Sequence, residues 1–484
     1  MTDPTPPASP NRPSSRRPAP TRRPARLLAT AALGVLLLAG AYAGATAVFS
    51  SRAQTLTTDL TGTLRARAAA SGAQVEQVSY TRGFTHSTQV LRLTLPGSTG
   101  VSQTLLVTND IQHGPLPALK GVGQATVTTT FRPEDPQAQA AYARAFPDRQ
   151  PQVQTVIGLA GDTHSRVDVP GGTLTEQGTT VKWQALGGTV DVQGNDTRLN
   201  LSWPGLTVSD PGDSNPTTGI IGRVTLTGEN RRSGPADPIG LGRASLTLDR
   251  AALQGDGASM NLTGLNISAD TAAQGNYLNS TVKYDVGTLS LPGPDGAAQS
   301  LRDLQLHLSL GHLAREPLAR LLVLLNDAPR ELDGAQPGQP DSAVSDPLAG
   351  LSAAQQTQAR ADLLAVLQDN PVLTLDRLNV TQPAGNVTLT GRLALPGAAR
   401  LNDSQLQALA DQPAVLLPLT DLQLKLSATR DALNTLLGNF GPLAQMADID
   451  TLISAGYLTR SGNQLGLDLR FDQGRATLNG QSME

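Results

Sequence analysis

The sequence has no cysteine, few aromatic residues and few charges. Without cysteine, disulfide bonds, thiolate nucleophiles, thiolate zinc sites and iron–sulfur clusters are all excluded. Aromatic residues make up 3% and charged residues 16% of the 484 residues, and the net charge is -3. A charge so close to zero gives no indication of a nucleic-acid partner, and we expect neither a cofactor nor a metal. The core is therefore expected to consist of Leu, Val and Ala.

Glycine and proline are abundant instead, with 48 and 34 residues, and both favour turns. Between the turns, apolar and polar residues alternate, as at Leu91, Leu93 and Leu95, with the period of a half-buried strand. One such run follows another from about residue 153 to residue 310. The sequence predicts an α+β fold with a large, mainly antiparallel β-sheet body and several accessory helices.

The first fifty residues predict a transmembrane helix that anchors the chain. Residues 1–26 contain eight prolines and six arginines and predict a disordered tail. Leu27–Phe49 follows as 23 residues without charge, and a helix of about 35 Å would cross the hydrocarbon layer. The arginines before it outnumber the single Arg52 just after it, and positive charge favours the cytoplasmic side. We therefore expect a single-pass inner-membrane protein with residues 50–484 in the periplasm.

Two features of the anchor leave alternatives open. Ala45 and Ala47 are similar to a signal-peptidase site, so cleavage competes with anchoring, although the length of the apolar stretch favours an uncleaved anchor. Gly40 and Gly44 have the spacing that lets two helices approach closely, which leaves a homodimer open. Because alanine-rich helices contain this spacing often by chance, it is weak support.

Composition divides the rest of the chain into three regions. Residues 50–310 predict a β-rich region, and residues 311–370 predict helices with a flexible linker near 329–349, rich in Pro, Gly, Asp and Gln. Residues 371–484 predict C-terminal strands with further helices. The predicted helices are Asp135–Phe146, Pro317–Leu325, Gln355–Gln368, Asn402–Asp411 and Arg430–Met446.

Five segments carry a family resemblance. They are "VSYTRGFTHSTQVLRLTL" (Val78–Leu95), "DIQHGPLP" (Asp110–Pro117), "TVIGLAGDTHSRVDV", "DNPVLTLDRLNV" and the terminal "GYLTRSGNQLGLDLRFDQGRATLNGQ". They resemble the YdgA-like bacterial cell-envelope proteins, a domain of unknown function. The resemblance implies a membrane anchor with a periplasmic body and supplies no reaction. The family-motif positions, for which we expect structural roles, are Tyr80, Gly83, Phe84, His113, Gly114, Pro115, Asn479 and Gly480.

His113 is the residue for which a chemical role is easiest to imagine. As a metal ligand or general base it would need further ligands or an oriented nucleophile, and none of the five histidines has metal-ligand spacing to another. The structural interpretation is that Gly114 and Pro115 end a strand and that a ring nitrogen of His113 caps the bend. We favour that interpretation, and predict no catalytic, cofactor-binding or metal-binding residue.

Other candidate sites are weaker. No nucleophile elbow, Walker A loop or dinucleotide fingerprint is present in the sequence. Asp162 and His164 are two residues apart and are expected to form a surface pair on one face of a strand. Trp183 and Trp203 are expected to anchor a sheet face.

Three functional hypotheses remain. The favoured one is a non-catalytic, membrane-anchored envelope protein that binds a partner or supports envelope integrity. The alternative is a lipid-binding or lipid-transfer module with an apolar β-groove, which requires that the helices at Pro317–Leu325 and Asp362–Leu367 leave the sheet uncovered. The third is an envelope hydrolase, in which His113 or Asp162 would have to meet other polar groups in a cleft.

Overall fold

The computed structural model covers most of the chain after the predicted anchor. The described residues are 73–95, 103–114, 123–176, 178–212, 216–234, 237–255, 258–292, 298–327, 351–402, 404–405, 418–439, 449–472 and 474–483. The tail 1–26, the anchor Leu27–Phe49, the linker 329–349, Pro115 and most of the helix predicted at Asn402–Asp411 lie outside them. None of the helices in the described ranges is long and apolar enough to cross a membrane.

The described part of the chain forms one sheet of 24 strands. The first twelve are β1 Gln74–Arg82, β2 His86–Leu95, β3 Gln103–His113, β4 Ala125–Pro133, β5 Gln152–Ile157, β6 Thr163–Val169, β7 Gly172–Glu176, β8 Thr179–Trp183, β9 Leu186–Gln193, β10 Asp196–Trp203, β11 Leu206–Asp210 and β12 Thr217–Ile221. The others are β13 Val224–Arg231, β14 Leu241–Gly255, β15 Ala258–Gln274, β16 Tyr277–Pro292, β17 Ala298–Ala314, β18 Val372–Gln382, β19 Gly385–Ala394, β20 Asp421–Thr429, β21 Thr459–Ser461, β22 Gln464–Asp472, β23 Arg475–Leu478 and β24 Gln481–Met483.

The strands pair as a long meander, and all pairings in the described sheet are antiparallel. The main order is β1-β2-β3-β4-β5-β6-β9-β10-β13-β14-β15-β16-β17-β18-β19-β20-β22-β23-β24. A side branch, β7-β8-β11-β12, joins β14, whose first half pairs with β13 and second half with β12. This confirms the predicted antiparallel sheet.

Five α-helices lie between strands of the described chain: α1 Pro136–Ala145, α2 Arg315–Asp327, α3 Ala353–Gln368, α4 Arg430–Asn439 and α5 Ile449–Ser454. A 3₁₀ helix covers Pro396–Arg400. The Asp135 side chain caps α1 by accepting from the Ala138 amide, and Ser352 and Gln355 form a capping box at α3. The helices predicted near Asp135, Pro317 and Gln355 are therefore confirmed.

A line of irregular backbone crosses eight passes of the sheet, and we call it the bend line. It consists of Pro170–Gly171, Gln184–Ala185, Pro204–Gly205, Gly222–Arg223, Asp249–Arg250, Thr263–Gly264, Gly287–Thr288 and Arg302–Asp303. Gly205, Gly264 and Asp303 on this line have positive φ, outside the extended region. In the first four passes the line separates two strands, and in β14–β17 one residue of each strand, Asp249, Gly264, Gly287 and Asp303, is missing from the strand pairing at the same level.

The bend line shifts the alternation of side chains by one residue. Trp203 and Leu206 are three residues apart, and so are Ile221 and Val224, which in a regular strand would place each pair on opposite faces. All four nevertheless pack in the same apolar cluster. The shift therefore keeps apolar residues on one face on both sides of the line.

Both tryptophans fix this line through hydrogen bonds. The indole N–H of Trp183 donates to the carbonyl of Pro170 at 3.0 Å, and that of Trp203 donates to the carbonyl of Gln184 at 3.0 Å. The Gln184 amide in turn donates to the carbonyl of Gly205 at 2.9 Å. The rings lie on the apolar face while their polar edges satisfy backbone groups that the sheet ladder leaves unpaired.

Two apolar clusters lie at different places on the sheet. In the first, Ala145 and Phe146 at the end of α1 pack on strands β5, β6, β9 and β10. In the second, α4 and α5 pack on β19, β20 and β22 through residues such as Leu433 and Ile449. The helices α2 and α3 pack against each other and contact the sheet at β17.

Gly205→Ala tests the bend line. Gly205 has a φ of 123°, and a Cβ built there would lie 2.1 Å from the Ile221 carbonyl oxygen. We expect the free energy of unfolding to fall by about 2 kcal/mol or more, measured by urea denaturation. Gly234→Ala is the matched control, because nothing lies within 4 Å of a Cβ built at Gly234. Equal stability of the two variants would contradict the constraint at Gly205.

Candidate functional site

One face of the sheet carries rows of apolar residues from the first cluster to the second. The central row joins directly paired residues: Leu201, Leu226, Leu246, Ile267, Tyr284, Leu306, Leu378, Leu389, Leu426 and Leu467. Because side chains two residues apart share a face, parallel rows flank it. One of them contains Leu248, Leu265, Val286 and Leu304. The two helix-covered clusters are therefore the two ends of one continuous apolar face.

Between the clusters this face is only half-buried. We call the apolar face of β13–β18 the trough, because α1 stands at one side of it and α4 and α5 at the other. Six of the large apolar residues that are exposed in the described chain lie on it: Leu253 (50%), Met260 (40%), Tyr284 (41%), Leu291 (38%), Leu310 (37%) and Leu373 (43%). In the two helix-covered clusters that flank the trough, by contrast, Val190 and Leu465 are 1% exposed.

The opposite face of the same strands is polar. A cross-strand row of alternating basic and acidic residues runs over six neighbouring strands: His164, Asp191, Arg198, Glu229, Arg243 and Asp270. Arg243 lies 3.5 Å from Glu229, and both side chains are more than half exposed. Each such pair stabilises the sheet by about 0–1 kcal/mol. A cavity of about 850 Å³ on this face is lined by members of the row and by Lys283.

A polar cluster, which we call the latch, lies at one end of the strands that form the trough. Asp237 and Ser233 lie in the loop between β13 and β14, and Arg315 begins α2. The guanidinium of Arg315 donates to the Asp237 carboxylate at 2.9 Å and also to the Ser233 hydroxyl. The Arg315 amide donates to the carbonyl of Asn276 in the β15–β16 turn at 2.9 Å. The latch therefore ties three connections together at this end of the strands, the latched end.

Buried apolar residues lie beside the latch. Ile239, Leu278 and Ala314 are 6%, 2% and 6% exposed. The hydroxyls of Thr271 and Ser280, 3.1 Å apart, interrupt the apolar rows of β15 and β16 on this side, and the next pair on the same face, Ala273 and Leu278, is apolar again. Polar and apolar side chains therefore lie together at the latched end.

The charge state of the latch follows from the surroundings of Asp237. Burial alone raises the pKa of the Asp237 carboxyl, but hydrogen bonds from Ile239, Ser233 and Arg315 outweigh it and hold the pKa below its usual value. Since the pKa is depressed in the folded state, the latch stabilises the fold above the ordinary aspartate pKa of about 3.9. This stabilisation is lost as the pH falls through the lowered value.

The N-terminal motif residues come together at one sheet corner. Tyr80 lies in the edge strand β1, and Gly83 and Phe84 form the β1–β2 hairpin, where Phe84 is 99% exposed. His113 is the last residue of β3, and its ring Nε2 lies 2.9 Å from the hydroxyl of Ser87, which is itself fully buried. The ring therefore contacts β2, while the bend after Gly114, which the sequence interpretation has it cap, lies outside the described residues from Pro115 on. Gly114 has a φ of 121°.

The C-terminal motif residues lie at the other end of the strand order. Asn479 and Gly480 have φ of 52° and 83° and form the turn between β23 and β24, as expected for an Asn-Gly hairpin. The Asn479 amide donates to the Asp468 carbonyl at 2.7 Å, and the Asn479 side chain accepts from the Asp468 amide at 2.9 Å. Its Nδ2 also donates to the Gly456 carbonyl at 2.9 Å. The two motif groups are thus separate in the sheet order.

Other sequence predictions have different outcomes. Asp162 lies before β6, outside the strand, so the expected surface pair on one strand face is wrong. The partner of His164 is Asp191 on β9, with His164 Nδ1 2.5 Å from Asp191 Oδ1.

No group of three or more metal-ligating side chains occurs in the described ranges. The sequence alone does not reveal the trough and the latch, because both depend on long-range strand register. The signal that the sequence does contain is the apolar alternation from Leu199 to Leu310.

Comparison with known proteins gives one result. The family model described as "Bacterial protein of unknown function (DUF945)" matches residues 27–484 of the chain. Neither the curated proteins nor the solved structures contain a match. The match covers the trough, the latch and both motif groups.

Asp237→Asn tests the latch. The variant removes the charge opposite Arg315, and we expect faster amide hydrogen exchange in peptides covering residues 276–280 and 313–320 at pH 7. The parent chain should show the same change only when the pH falls through the lowered pKa of Asp237, below the ordinary aspartate value of about 3.9.

The control for the latch is Asp196→Asn. Asp196 also pairs with an arginine, Arg231, at the latched end, but that pair is exposed. It should therefore leave exchange in both peptides unchanged. Equal exchange in Asp237→Asn and in the parent chain at pH 7 would show that the latch does not hold this end.

Proposed function

The chain belongs to the DUF945 family of bacterial proteins of unknown function, and we propose that its trough binds the acyl chain of a lipid. The observation that carries this proposal is the half-exposed apolar face between two helix-covered clusters. Large exposed apolar patches on soluble surfaces mark binding sites. The alternative hypothesis from the sequence therefore becomes the favoured one.

The chemistry of the trough favours hydrocarbon over an extended peptide. Strands β13–β18 are paired on both sides, so their backbone groups are already hydrogen-bonded. An extended peptide on this face would find only side chains, and its own amides would stay unsatisfied at a cost of several kcal/mol. An acyl chain has no such groups, and burying its surface contributes about 25 cal/mol per Å². An amphipathic helix, which satisfies its own backbone, is the competing occupant.

The dimensions of the trough are consistent with an acyl chain. Six strands at about 4.8 Å spacing give a width of roughly 24 Å from β13 to β18. One leaflet of a bilayer is about half of the ~30 Å hydrocarbon core, or about 15 Å. A chain of that length fits between the walls formed by α1 and by α4 and α5.

Within the described ranges the helices pack at the two clusters and at β17 rather than over the central strands, as the lipid hypothesis requires. The helices α2 and α3 pack against each other. The guanidinium of Arg320 on α2 donates to the carboxylate of the buried Asp362 on α3 at 2.8 Å. Their sheet contacts are at β17, beside the latched end. This arrangement supports a binding trough rather than a closed scaffold.

We propose with it the cellular setting expected from the sequence. In this proposal Leu27–Phe49 anchors the chain in the inner membrane, the body lies in the periplasm, and the protein is not an enzyme. The YdgA-like resemblance also stays a prediction. A homodimer through Gly40 and Gly44 remains a proposal of the same kind.

Partner binding is the second candidate function. The observation that favours it is the side chain of Phe84, which is 99% exposed at the tip of the β1–β2 hairpin. This role predicts that Phe84→Ser loses a co-purifying envelope protein while its lipid content stays unchanged. Lipid content that falls with Phe84→Ser would instead connect this hairpin with the trough.

Tyr284→Glu tests lipid binding. Tyr284 lies in the central row and is 41% exposed, so a carboxylate there is compatible with folding and unfavourable beside an acyl chain. The full chain, purified in mild detergent, should carry phospholipid in native mass spectrometry. The variant should carry about tenfold less, the equivalent of 1.4 kcal/mol.

Thr247→Glu is the matched control for this test. Thr247 lies on the polar face of β14, between Leu246 and Leu248, whose side chains line the trough. The control adds the same charge to the same part of the sheet, and its lipid content should equal that of the parent. A parent chain without bound phospholipid would refute the proposed function.

A further inference from the structure

Within the described central row, Tyr284 alone has a polar atom in its side chain. It pairs directly with Ile267 on β15 and with Leu306 on β17, and the remaining members of the row are leucines. The side chain is 41% exposed on the trough face. A hydroxyl group therefore lies within a surface that is otherwise hydrocarbon.

The neighbours of Tyr284 on this face offer its hydroxyl no acceptor. Directly paired residues share a face, and so do residues two apart on a strand, so eight positions surround Tyr284. All eight are apolar: Ile267, Leu306, Val282, Val286, Leu265, Ala269, Leu304 and Leu308. The next hydroxyl on this face of β16, that of Ser280, is roughly 14 Å away along the strand. Among the described residues the Tyr284 hydroxyl has no hydrogen-bond partner.

The two tryptophans on the apolar face show a different arrangement. The indole N–H groups of Trp183 and Trp203 both donate to backbone carbonyls at 3.0 Å. The Tyr284 hydroxyl depends on water instead, which reaches it while the trough is empty. When an acyl chain covers the surrounding leucines, that water is displaced, and a hydroxyl without an acceptor is then unfavourable. A ligand that supplies an acceptor at this point avoids the loss.

We infer that the Tyr284 hydroxyl donates a hydrogen bond to the carbonyl oxygen of an acyl ester, so that the trough selects ester-linked lipids. This inference rests on the proposed function and adds the class of lipid. A tyrosine side chain is longer than leucine or valine, so its hydroxyl can reach a group that rests on its apolar neighbours. An ester carbonyl accepts a hydrogen bond there, whereas an ether-linked chain has no carbonyl oxygen.

The charges of the trough favour an ester over a free fatty acid. None of the eight positions around Tyr284 carries a charge, and the basic residues Arg243 and Lys283 of these strands line the cavity on the polar face. A carboxylate beside Tyr284 would therefore lack a cationic partner on the described trough face, which is costly away from water. The neutral carbonyl of an ester has no such cost.

Tyr284→Phe tests the inference, because it removes the hydroxyl and keeps the ring. The full chain, purified in mild detergent, is mixed with equal amounts of a diacyl phospholipid and its dialkyl ether analogue, which has the same headgroup and chain length. Native mass spectrometry measures the ratio of the two bound lipids. The parent chain should bind the ester about fivefold more than the ether, the effect of one hydrogen bond. In Tyr284→Phe this ratio should fall to about one.

Tyr457→Phe is the matched control. Tyr457 is 46% exposed in the connection between α5 and β21, outside the trough, so this variant should keep the ratio of the parent. An equal fall in the control, or the same ratio in the parent and in Tyr284→Phe, would overturn the inference and leave the proposed function in place. Stronger binding of palmitate than of the ester would overturn it in the same way. A parent chain that binds none of these lipids would refute the proposed function, and the inference with it.

Discussion

The alternation of side chains at the bend line is the constraint on which the rest of the structure depends. A strand places successive side chains on opposite faces, so an irregular residue in one pass alone would turn apolar side chains toward water. Here eight passes shift together, and the indole N–H groups of Trp183 and Trp203 bind carbonyls on the line. The apolar face therefore stays continuous although the regular alternation of side chains is interrupted in every pass.

This continuity explains why one face has two different environments. Where α1, α4 and α5 cover the apolar rows, residues such as Val190 and Leu465 are buried, as in an ordinary core. Where no such cover lies in the described chain, the same rows are half-exposed. The covered parts of the face stabilise the fold. The uncovered part is therefore free to bind a ligand, although its exposed apolar surface is unfavourable in water.

The sequence predicted the local structure well and the site poorly. Alternation at Leu91–Leu95 and the Asp135 cap predict strand and helix from neighbouring residues alone, and both are confirmed. The partner of His164 was predicted wrongly because it lies 27 residues away, on a strand whose register no local pattern reveals. The latch likewise joins Asp237 to Arg315 across two intervening hairpins. Sites assembled by register require the sheet order, which short motifs do not contain.

The strand order also has a consequence for how the chain reaches this state. Most neighbours in the sheet are neighbours in sequence, so each new strand can add to the edge left by the one before it, as soon as it is synthesised. Such local pairing closes short loops and keeps the entropic cost of each step low. The exceptions among the described strands are the pairs β6–β9, β8–β11, β10–β13, β12–β14 and β20–β22, since each must wait for the strands or helices between its two members. Assembly of this sheet is therefore expected to proceed by growth from one end, with pauses at these pairs, where a strand edge stays open to aggregation.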